Sequence, residues 1–180
     1  MGDFSKWLKV REAYYDQQGF WAGEGGGASG VLPIARSTAR LCFAWRSRNV
    51  HMGNSWGTLG GAVLKGMNPA QSAIEEMKEE TGYSGSIDLK PAYIFSKGSF
   101  KYHNFVGIVP EEFEFAPEGG HSWETDNIEW FDYKQAIQQL NRAHPGLVAL
   151  FQNSKDLIEG IVSKLSKNPN LSQSSAQVRQ

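Results

Sequence analysis

The chain has 180 residues, of which 40% are hydrophobic and 21% are charged, and its formal net charge is −1. This length fits one domain with a substantial buried core. The near-neutral total excludes a strongly basic, nucleic-acid-coating protein, although a local basic patch is compatible with it. No apolar run is long enough to cross a membrane.

The sequence contains a single cysteine, Cys42, which excludes an intramolecular disulfide and fits a reducing compartment. The N-terminus lacks the apolar segment of a signal peptide. Together these features predict a cytoplasmic protein. Cys42 lies in the apolar run LCFAW, so we interpret it as a core residue rather than a nucleophile.

Composition divides the chain into an N-terminal extension (1–27), a folded domain (28–165) and a tail (166–180). The extension is polar with scattered aromatic residues, and the glycine-rich run 23–30 is typical of a flexible connection. A phosphate-binding loop is the alternative for that run, but no GK[ST] follows it. The tail is rich in Ser and Gln, and we expect it to be disordered.

Runs with β-branched and aromatic residues, bounded by turn formers, predict strands on both sides of a central helix. These runs are residues 28–35, 40–46, 56–59, 87–96 and 99–109, and another strand is expected within 123–132. A hairpin turn is expected at Lys97-Gly98. Helical periodicity follows in 133–140 and 147–165, with a break at 144–146. This order predicts a mixed sheet between helical layers.

The rest of the chain is organised around residues 61–83, GAVLKGMNPAQSAIEEMKEETGY. Asn68 suits the cap of a helix, Pro69 suits its first turn, and Gly82 suits its left-handed end. Helical spacing then predicts one buried stripe. Its members are Ala70, Ala73, Ile74, Met77 and Thr81.

The rest of the predicted helix circumference carries four glutamates: Glu75, Glu76, Glu79 and Glu80. Like charges three or four residues apart destabilise an exposed helix by about 0.2–0.5 kcal/mol per pair. A divalent cation reverses that sign, because Mg²⁺ prefers carboxylate oxygens and retains waters that a phosphate can replace. A solvated acidic face is the alternative. The Gly-Gly turn before the helix and the Thr-Gly that ends it favour the metal site.

The same stretch resembles the box of the Nudix hydrolase family. The family pattern is Gly, five residues, Glu, seven residues, Arg-Glu, an apolar residue, any residue, Glu-Glu, any residue, Gly and an apolar residue. The matching positions are Gly61, Glu76, Met77, Glu79, Glu80, Gly82 and Tyr83. Two positions depart, because Met67 replaces the first Glu and Glu75 replaces the Arg. In the family those two side chains typically pair, so we expect an apolar contact in place of one ion pair.

The resemblance covers roughly residues 28–140 and implies an α/β (α+β) fold, the Nudix-type α/β/α sandwich with a mixed β-sheet. It implies that Glu76, Glu79 and Glu80 bind Mg²⁺ or Mn²⁺. The implied reaction is metal-dependent hydrolysis of the pyrophosphate of a nucleoside diphosphate linked to another group. Bound metal neutralises the diphosphate and acidifies a water, so a Ser, Cys or His nucleophile is not required.

Two carboxylates are our candidates for catalysis. Glu79 belongs to the box, and Glu124 precedes the strand that contains Trp130, where family members often place an additional carboxylate. Glu118 and Asp126 are the alternatives to Glu124.

For substrate binding we expect Gly61 of the box and Arg46, which ends a predicted strand directed toward the box turn. Other side chains have a packing or surface role as their alternative. Those suited to phosphate are Arg48, Lys97, Lys101 and His103, and those suited to base stacking are Phe100 and Tyr102.

The partner implied by the resemblance is a nucleotide-type small molecule, with no membrane. ADP-ribose, dinucleoside polyphosphates, nucleoside triphosphates and capped RNA all stay open, since residues 99–102 fit neither family marker for substrate class well. A homodimer also stays open. The alternative function is a non-catalytic Nudix-fold module that binds a nucleotide or RNA, which the departures at Met67 and Glu75 favour. An isoprenoid-diphosphate isomerase would need a catalytic cysteine, and Cys42 lies in an apolar run.

Overall fold

The computed structural model describes residues 13–15, 21–23, 27–63, 65–117 and 123–167. Within these ranges the chain forms nine strands and four α-helices. The strands are β1 (Ala13–Tyr15), β2 (Trp21–Gly23), β3 (Gly27–Ala35), β4 (Leu41–Arg46), β5 (Trp56–Gly57), β6 (Leu59–Ala62), β7 (Asp88–Lys97), β8 (Phe100–Val109) and β9 (Thr125–Phe131). The helices are α1 (Pro69–Thr81), α2 (Tyr133–Gln139), α3 (Pro145–Asn153) and α4 (Lys155–Lys167), and a 3₁₀ turn (Leu140–Arg142) joins α2 to α3.

The central sheet is mixed. Its main path runs β5-β4-β3-β8-β7, with β6 also paired to β3 and β9 also paired to β4. Strands β3 and β8 are parallel along their length, from Gly27 opposite Lys101 to Ala35 opposite Val109, whereas the other pairs are antiparallel. Strands β1 and β2 form a separate two-stranded sheet.

Helices cover both faces of the central sheet. On one face, Ala73 and Met77 of α1 pack against a cluster that includes Val31 and Leu59. On the other face, Leu150 of α3 packs with the cluster that residues of α2 and α4 complete. Clusters of this kind exclude water from both sides of the sheet and hold the layers together. The architecture confirms the predicted α/β/α sandwich with a mixed sheet.

Helix α1 begins and ends where the sequence predicts. The Asn68 side chain accepts the backbone N–H of Gln71, whose side chain in turn accepts the N–H of Asn68, and Pro69 occupies the first turn. Gly82 ends the helix in the left-handed region, at φ 76°, and donates its N–H to the carbonyl of Lys78.

The buried face of α1 is broader than the predicted apolar stripe. Ala70 and Ile74 are only half-buried, whereas Ser72 and Glu80 are fully buried. Ser72 tolerates burial because its Oγ donates to the Ala62 carbonyl at 3.1 Å. The predicted stripe therefore omits Ser72 and Glu80, which the fold buries as well.

The C-terminal helical region differs from the prediction of one helix over 147–165. His144 and Pro145 begin α3 rather than interrupt a helix, since the His144 side chain caps it and proline suits the first turn. The break lies at Ser154, between α3 and α4. This residue has a non-helical backbone, at φ −128° and ψ 23°.

The remaining strand predictions hold with small shifts. The run 56–59 divides into β5 and the start of β6, and the hairpin of β7 and β8 turns at Gly98, where φ is 59°. Cys42 is a fully buried, free thiol, as expected of a core residue. Most of the N-terminal extension, and the tail beyond Lys167, lie outside the described residues. In the ranges given above, no helix has both the length and the apolarity to cross a bilayer.

Candidate active site

The site is built where two glycines of β6 meet helix α1. The N–H of Gly60 donates to Oε2 of Glu80 at 3.0 Å. At the next residue, a Cβ atom on Gly61 would lie 2.7 Å from Cδ of Glu76. Only a residue without a side chain allows this approach, because Cβ atoms essentially never sit so close to another heavy atom. The glycine pair thus brings two carboxylates of α1 onto the edge of β6.

The carboxylate of Glu80 is held inside the protein. Only 6% of this residue is exposed, and its second oxygen, Oε1, accepts the Thr125 hydroxyl at 3.2 Å. Burial raises the pKa of Glu80 well above its ordinary value, and the charges of Glu124 and Glu76 raise it further. The hydrogen bonds from Gly60 and Thr125 act in the opposite direction.

Glu124 approaches the same place from the segment before β9. Its backbone carbonyl accepts the N–H of Ser47 at 2.8 Å, which fixes the segment to the end of β4. Burial raises the pKa of the Glu124 carboxyl, the charge of Arg46 lowers it, and the charge of Glu79 raises it, with a net pKa of about 7. The Glu124 carboxyl therefore lies within electrostatic reach of both Glu79 and Arg46.

The donor set suits a hard divalent cation. The groups here are carboxylates whose negative charges repel. The charges of Glu124 and Glu76 raise the pKa of Glu80, and the charge of Glu79 raises the pKa of Glu124. A cation would offset both this repulsion and the cost of burying Glu80. Among the described residues, no three His, Cys, Asp or Glu side chains already stand together as a ligand set. These residues therefore suit a cation because they are carboxylates and because they lie near one another.

Arg46 lies at the end of β4, beside the acidic groups. Its Nη2 donates to the His51 carbonyl at 2.9 Å, while its Nε is buried and finds no hydrogen-bond acceptor in the described part of the chain. Its stem lies on Gly57, where a Cβ atom would be 3.0 Å from the Arg46 Cδ. The guanidinium is thus held in place by backbone contacts.

Other sequence candidates have different surroundings. Glu118 lies outside the described residues. Asp126 is exposed, at the irregular point where the pairing of β9 with β4 shifts register. Arg48 is exposed in the loop after β4, and Lys97 and Lys101 are exposed at the hairpin.

The aromatic candidates are packing residues in this structure. Phe100 is buried against Ala28. The Tyr102 hydroxyl is paired with that of Thr58 at 3.1 Å and lies over Gly30, where a Cβ would be 2.2 Å from it. His103 is partly exposed on β8, and burial together with the charge of Lys101 lowers its pKa.

Of the two box departures, Glu75 pairs with a lysine of its own helix. Nζ of Lys78 lies 3.1 Å from Oε1 of Glu75, one turn along α1, and both side chains are substantially exposed. Met67 is half-buried in the turn before the helix. Glu75 is therefore a surface residue of the helix.

Sequence reasoning missed Thr125, which holds Glu80, and His144, which lies within electrostatic reach of Arg46. Thr125 gave no signal apart from its place next to Glu124. The sequence His-Pro-Gly did mark a helix boundary at His144, but its closeness to β4 depends on tertiary structure, because the His144 N–H donates to the Trp56 carbonyl at 2.7 Å.

Comparison with known proteins identifies the family of this chain. The model of the NUDIX domain matches residues 26–151. RenU, a Nudix hydrolase from M. smegmatis, is similar at a TM-score of 0.67 and 19% identity, covering 83% of this chain and 95% of that one. A NUDIX hydrolase from Nitrosomonas europaea gives 0.57 and 16%, covering 75% and 89%. The E. coli dihydroneopterin triphosphate pyrophosphohydrolase gives 0.55 and 18%, covering 73% and 96%. No curated protein sequence matches the chain.

Proposed function

The chain belongs to the Nudix family of hydrolases, which act on phosphoanhydride bonds, and from that premise we propose its own reaction. We propose that it uses a divalent cation to cleave the pyrophosphate of a nucleoside diphosphate linked to another group. The observation that carries the proposal is the buried carboxylate of Glu80, fixed by Gly60 and Thr125 with Glu76 and Glu124 nearby.

Glu76, Glu79 and Glu80 are the residues that would hold the cation, which we propose to be Mg²⁺ or Mn²⁺. When bound, such an ion neutralises phosphate charge and acidifies a coordinated water. The protein keeps these carboxylates in place before the substrate arrives. The Gly60 N–H and the Thr125 hydroxyl orient Glu80, and the close contact at Gly61 limits where Glu76 can go.

Proton transfer is assigned to a carboxylate near the reacting phosphate. Glu124 is suited to this role because burial raises its pKa to about 7, which lets it accept a proton near neutral pH. Glu79, whose charge acts on Glu124, is the second catalytic carboxylate in the proposal. Arg46, whose charge acts on Glu124, would bind a substrate phosphate.

The substrate class is a nucleotide sugar, a dinucleotide or a nucleoside triphosphate, and capped RNA belongs to the same chemistry. Among the structures described above, the activity on dihydroneopterin triphosphate belongs to a protein of 18% identity, and that likeness supports the fold alone. A cytoplasmic location and a homodimer remain parts of the proposal.

The test is a hydrolysis assay on the full chain with Mg²⁺ or Mn²⁺ and a panel of ADP-ribose, diadenosine polyphosphates, nucleoside triphosphates and capped RNA. We expect release of a nucleoside monophosphate from at least one compound, and loss of that release in Glu79→Gln. Glu75→Gln is the matched control, because it removes an exposed carboxylate from the same helix. Binding of a nucleotide without turnover, with wild type and Glu79→Gln alike, would support the non-catalytic module.

A further inference from the structure

Three basic residues from separate segments come together around the end of β4. Arg46 ends β4, His51 lies in the following loop, and His144 caps helix α3. We propose that these three side chains form a phosphate-binding subsite around Arg46. The subsite rests on the proposed function in that it would bind a phosphate of the same substrate, and it adds two histidines to the machinery.

The backbone holds the three residues together. Nη2 of Arg46 donates to the His51 carbonyl at 2.9 Å, which ties the guanidinium to the loop. The stem of Arg46 lies on Gly57, and the carbonyl of the preceding residue, Trp56, accepts the His144 N–H at 2.7 Å. The start of α3 is thus attached to the strand on which Arg46 rests.

Arg46 retains unused donor capacity in this arrangement. Its Nε–H is buried and finds no acceptor within the described residues. A buried donor without a partner costs about 1–3 kcal/mol, and a charged donor costs more. A phosphate oxygen is the acceptor that suits a guanidinium, because it is charged and can take two N–H groups at once.

The His144 ring offers one N–H donor, and the hydrogen bond to its other nitrogen determines which nitrogen that is. Its Nδ1 accepts the Gly146 N–H at 3.0 Å, so the neutral ring carries its proton on Nε2. Burial, together with the charges of Arg46 and His51, lowers the pKa of His144 to about 4. The ring is therefore an uncharged N–H donor at neutral pH, and it lies within electrostatic reach of Arg46.

The closing experiment is a titration of the full, metal-free chain with inorganic phosphate, followed by the ¹H–¹⁵N correlations of the imidazole rings. The chain has four histidines, and His103 on β8 serves as an internal control. We expect saturable shifts at His51 and His144 and smaller shifts at His103. No variant is needed for this measurement, so a folding defect cannot obscure it.

Two variants and a charge control sharpen the result. Arg46→Gln is expected to weaken phosphate binding about tenfold or more, since charge-assisted hydrogen bonds are worth about 1.5–3 kcal/mol. His144→Asn keeps a cap for α3 but removes the Nε2 donor, and a severalfold loss is expected. Lys164→Gln, on an exposed part of α4, removes the same charge as Arg46→Gln and should leave the affinity unchanged.

Absence of shifts at His51 and His144, equal shifts at His103, or equal losses in Arg46→Gln and Lys164→Gln would each overturn the subsite. These outcomes are distinct from failure of the proposed function. If the chain binds phosphate as described but hydrolyses no compound of the panel, the subsite is supported and the enzymatic function is contradicted. If it hydrolyses one of them without phosphate-induced shifts, the enzymatic function is supported and the subsite is contradicted.

Discussion

Gly61 and Glu76 are in such close contact that no side chain fits between them. A Cβ on Gly61 would lie 2.8 Å and 2.9 Å from the two carboxylate oxygens of Glu76. The first glycine of the box is therefore needed to leave room for the Glu76 carboxylate on helix α1. It is more than a turn former.

Gly61→Ala should therefore push the Glu76 carboxylate away from β6. We expect Mn²⁺ affinity to fall about 10–100-fold, the range seen when the support of a metal ligand is lost. Isothermal titration with Mn²⁺ measures the effect directly. An unchanged affinity would show that Glu76 is not held by this contact or does not bind the metal.

The control for this substitution is Gly160→Ala in helix α4. Gly160 is exposed, and no heavy atom of the described residues lies within 4 Å of a Cβ placed there. Alanine should stabilise the helix by about 0.5–1 kcal/mol, since glycine has the larger backbone entropy to lose. Urea unfolding should show this gain together with unaltered Mn²⁺ affinity.

Glu80→Gln should lower the activity of the protein without lowering its stability. Glutamine removes a buried charge that Glu124 and Glu76 repel, while its amide can accept from Gly60 and donate to Thr125. We expect an equal or higher melting temperature for the metal-free protein, no further rise on adding Mg²⁺, and a rate at least about 10²-fold lower. Thermal scans with and without Mg²⁺, beside the hydrolysis assay, check all three. A lower melting temperature for Glu80→Gln would contradict the view that the buried charge of Glu80 destabilises the metal-free protein.

Changes at Glu75 should have small effects. Its pair with Lys78 leaves 46% and 40% of the two side chains exposed, so Glu75→Gln should alter the free energy of unfolding by no more than about 0.5 kcal/mol. The rate should change much less than for Glu80→Gln. The paired substitution Met67→Glu with Glu75→Arg restores the family residues, and it should retain activity and gain some stability. Unfolding of that double variant would contradict this account of the departures.

The stability of the protein should fall in mild acid because of His144. Its pKa is about 4 in the folded state against 6.5 for the unperturbed side chain, so the unfolded chain binds more protons between these values. The contribution of the neutral His144 ring to the free energy of unfolding is fully present above pH 6.5 and is lost as the pH falls toward 4. After allowance for solvent screening we expect a loss of about 1–2 kcal/mol.

His144→Asn tests this assignment, because asparagine caps a helix well and does not titrate. Urea unfolding of both proteins between pH 7 and pH 4.5 should give a shallower dependence for the variant. Identical slopes would assign the acid sensitivity to other groups.

The sequence alone predicts the elements that local chemistry determines. Asn68, Pro69 and Gly82 mark the ends of α1 because capping and the left-handed turn depend on residues a few positions apart. The burial of Glu80 could not be predicted in that way, since it depends on Gly60 of β6 and Thr125 of β9. A helical wheel places Glu80 beside Glu76 but says nothing of what covers either residue.

The C-terminal helices show the same limit. The periodicity of 147–165 continues through Ser154, so the pattern gave one helix where the chain forms two. His144 and Pro145 correctly indicated a helix boundary. That His144 comes near Arg46 follows from the attachment of the α3 start to Trp56, which no local pattern contains.

The parallel pairing of β3 with β8 has a consequence for how the protein is made. Gly27 finds its partner, Lys101, 74 positions later, and the whole of α1 and β7 lies between them. Contacts so distant along the chain slow folding, because the intervening segment must be ordered before they form. On the ribosome, β3 would therefore emerge long before its neighbour, with an unpaired apolar edge in the meantime. Chaperone demand during synthesis should depend more on this delay than on the stability of the finished domain.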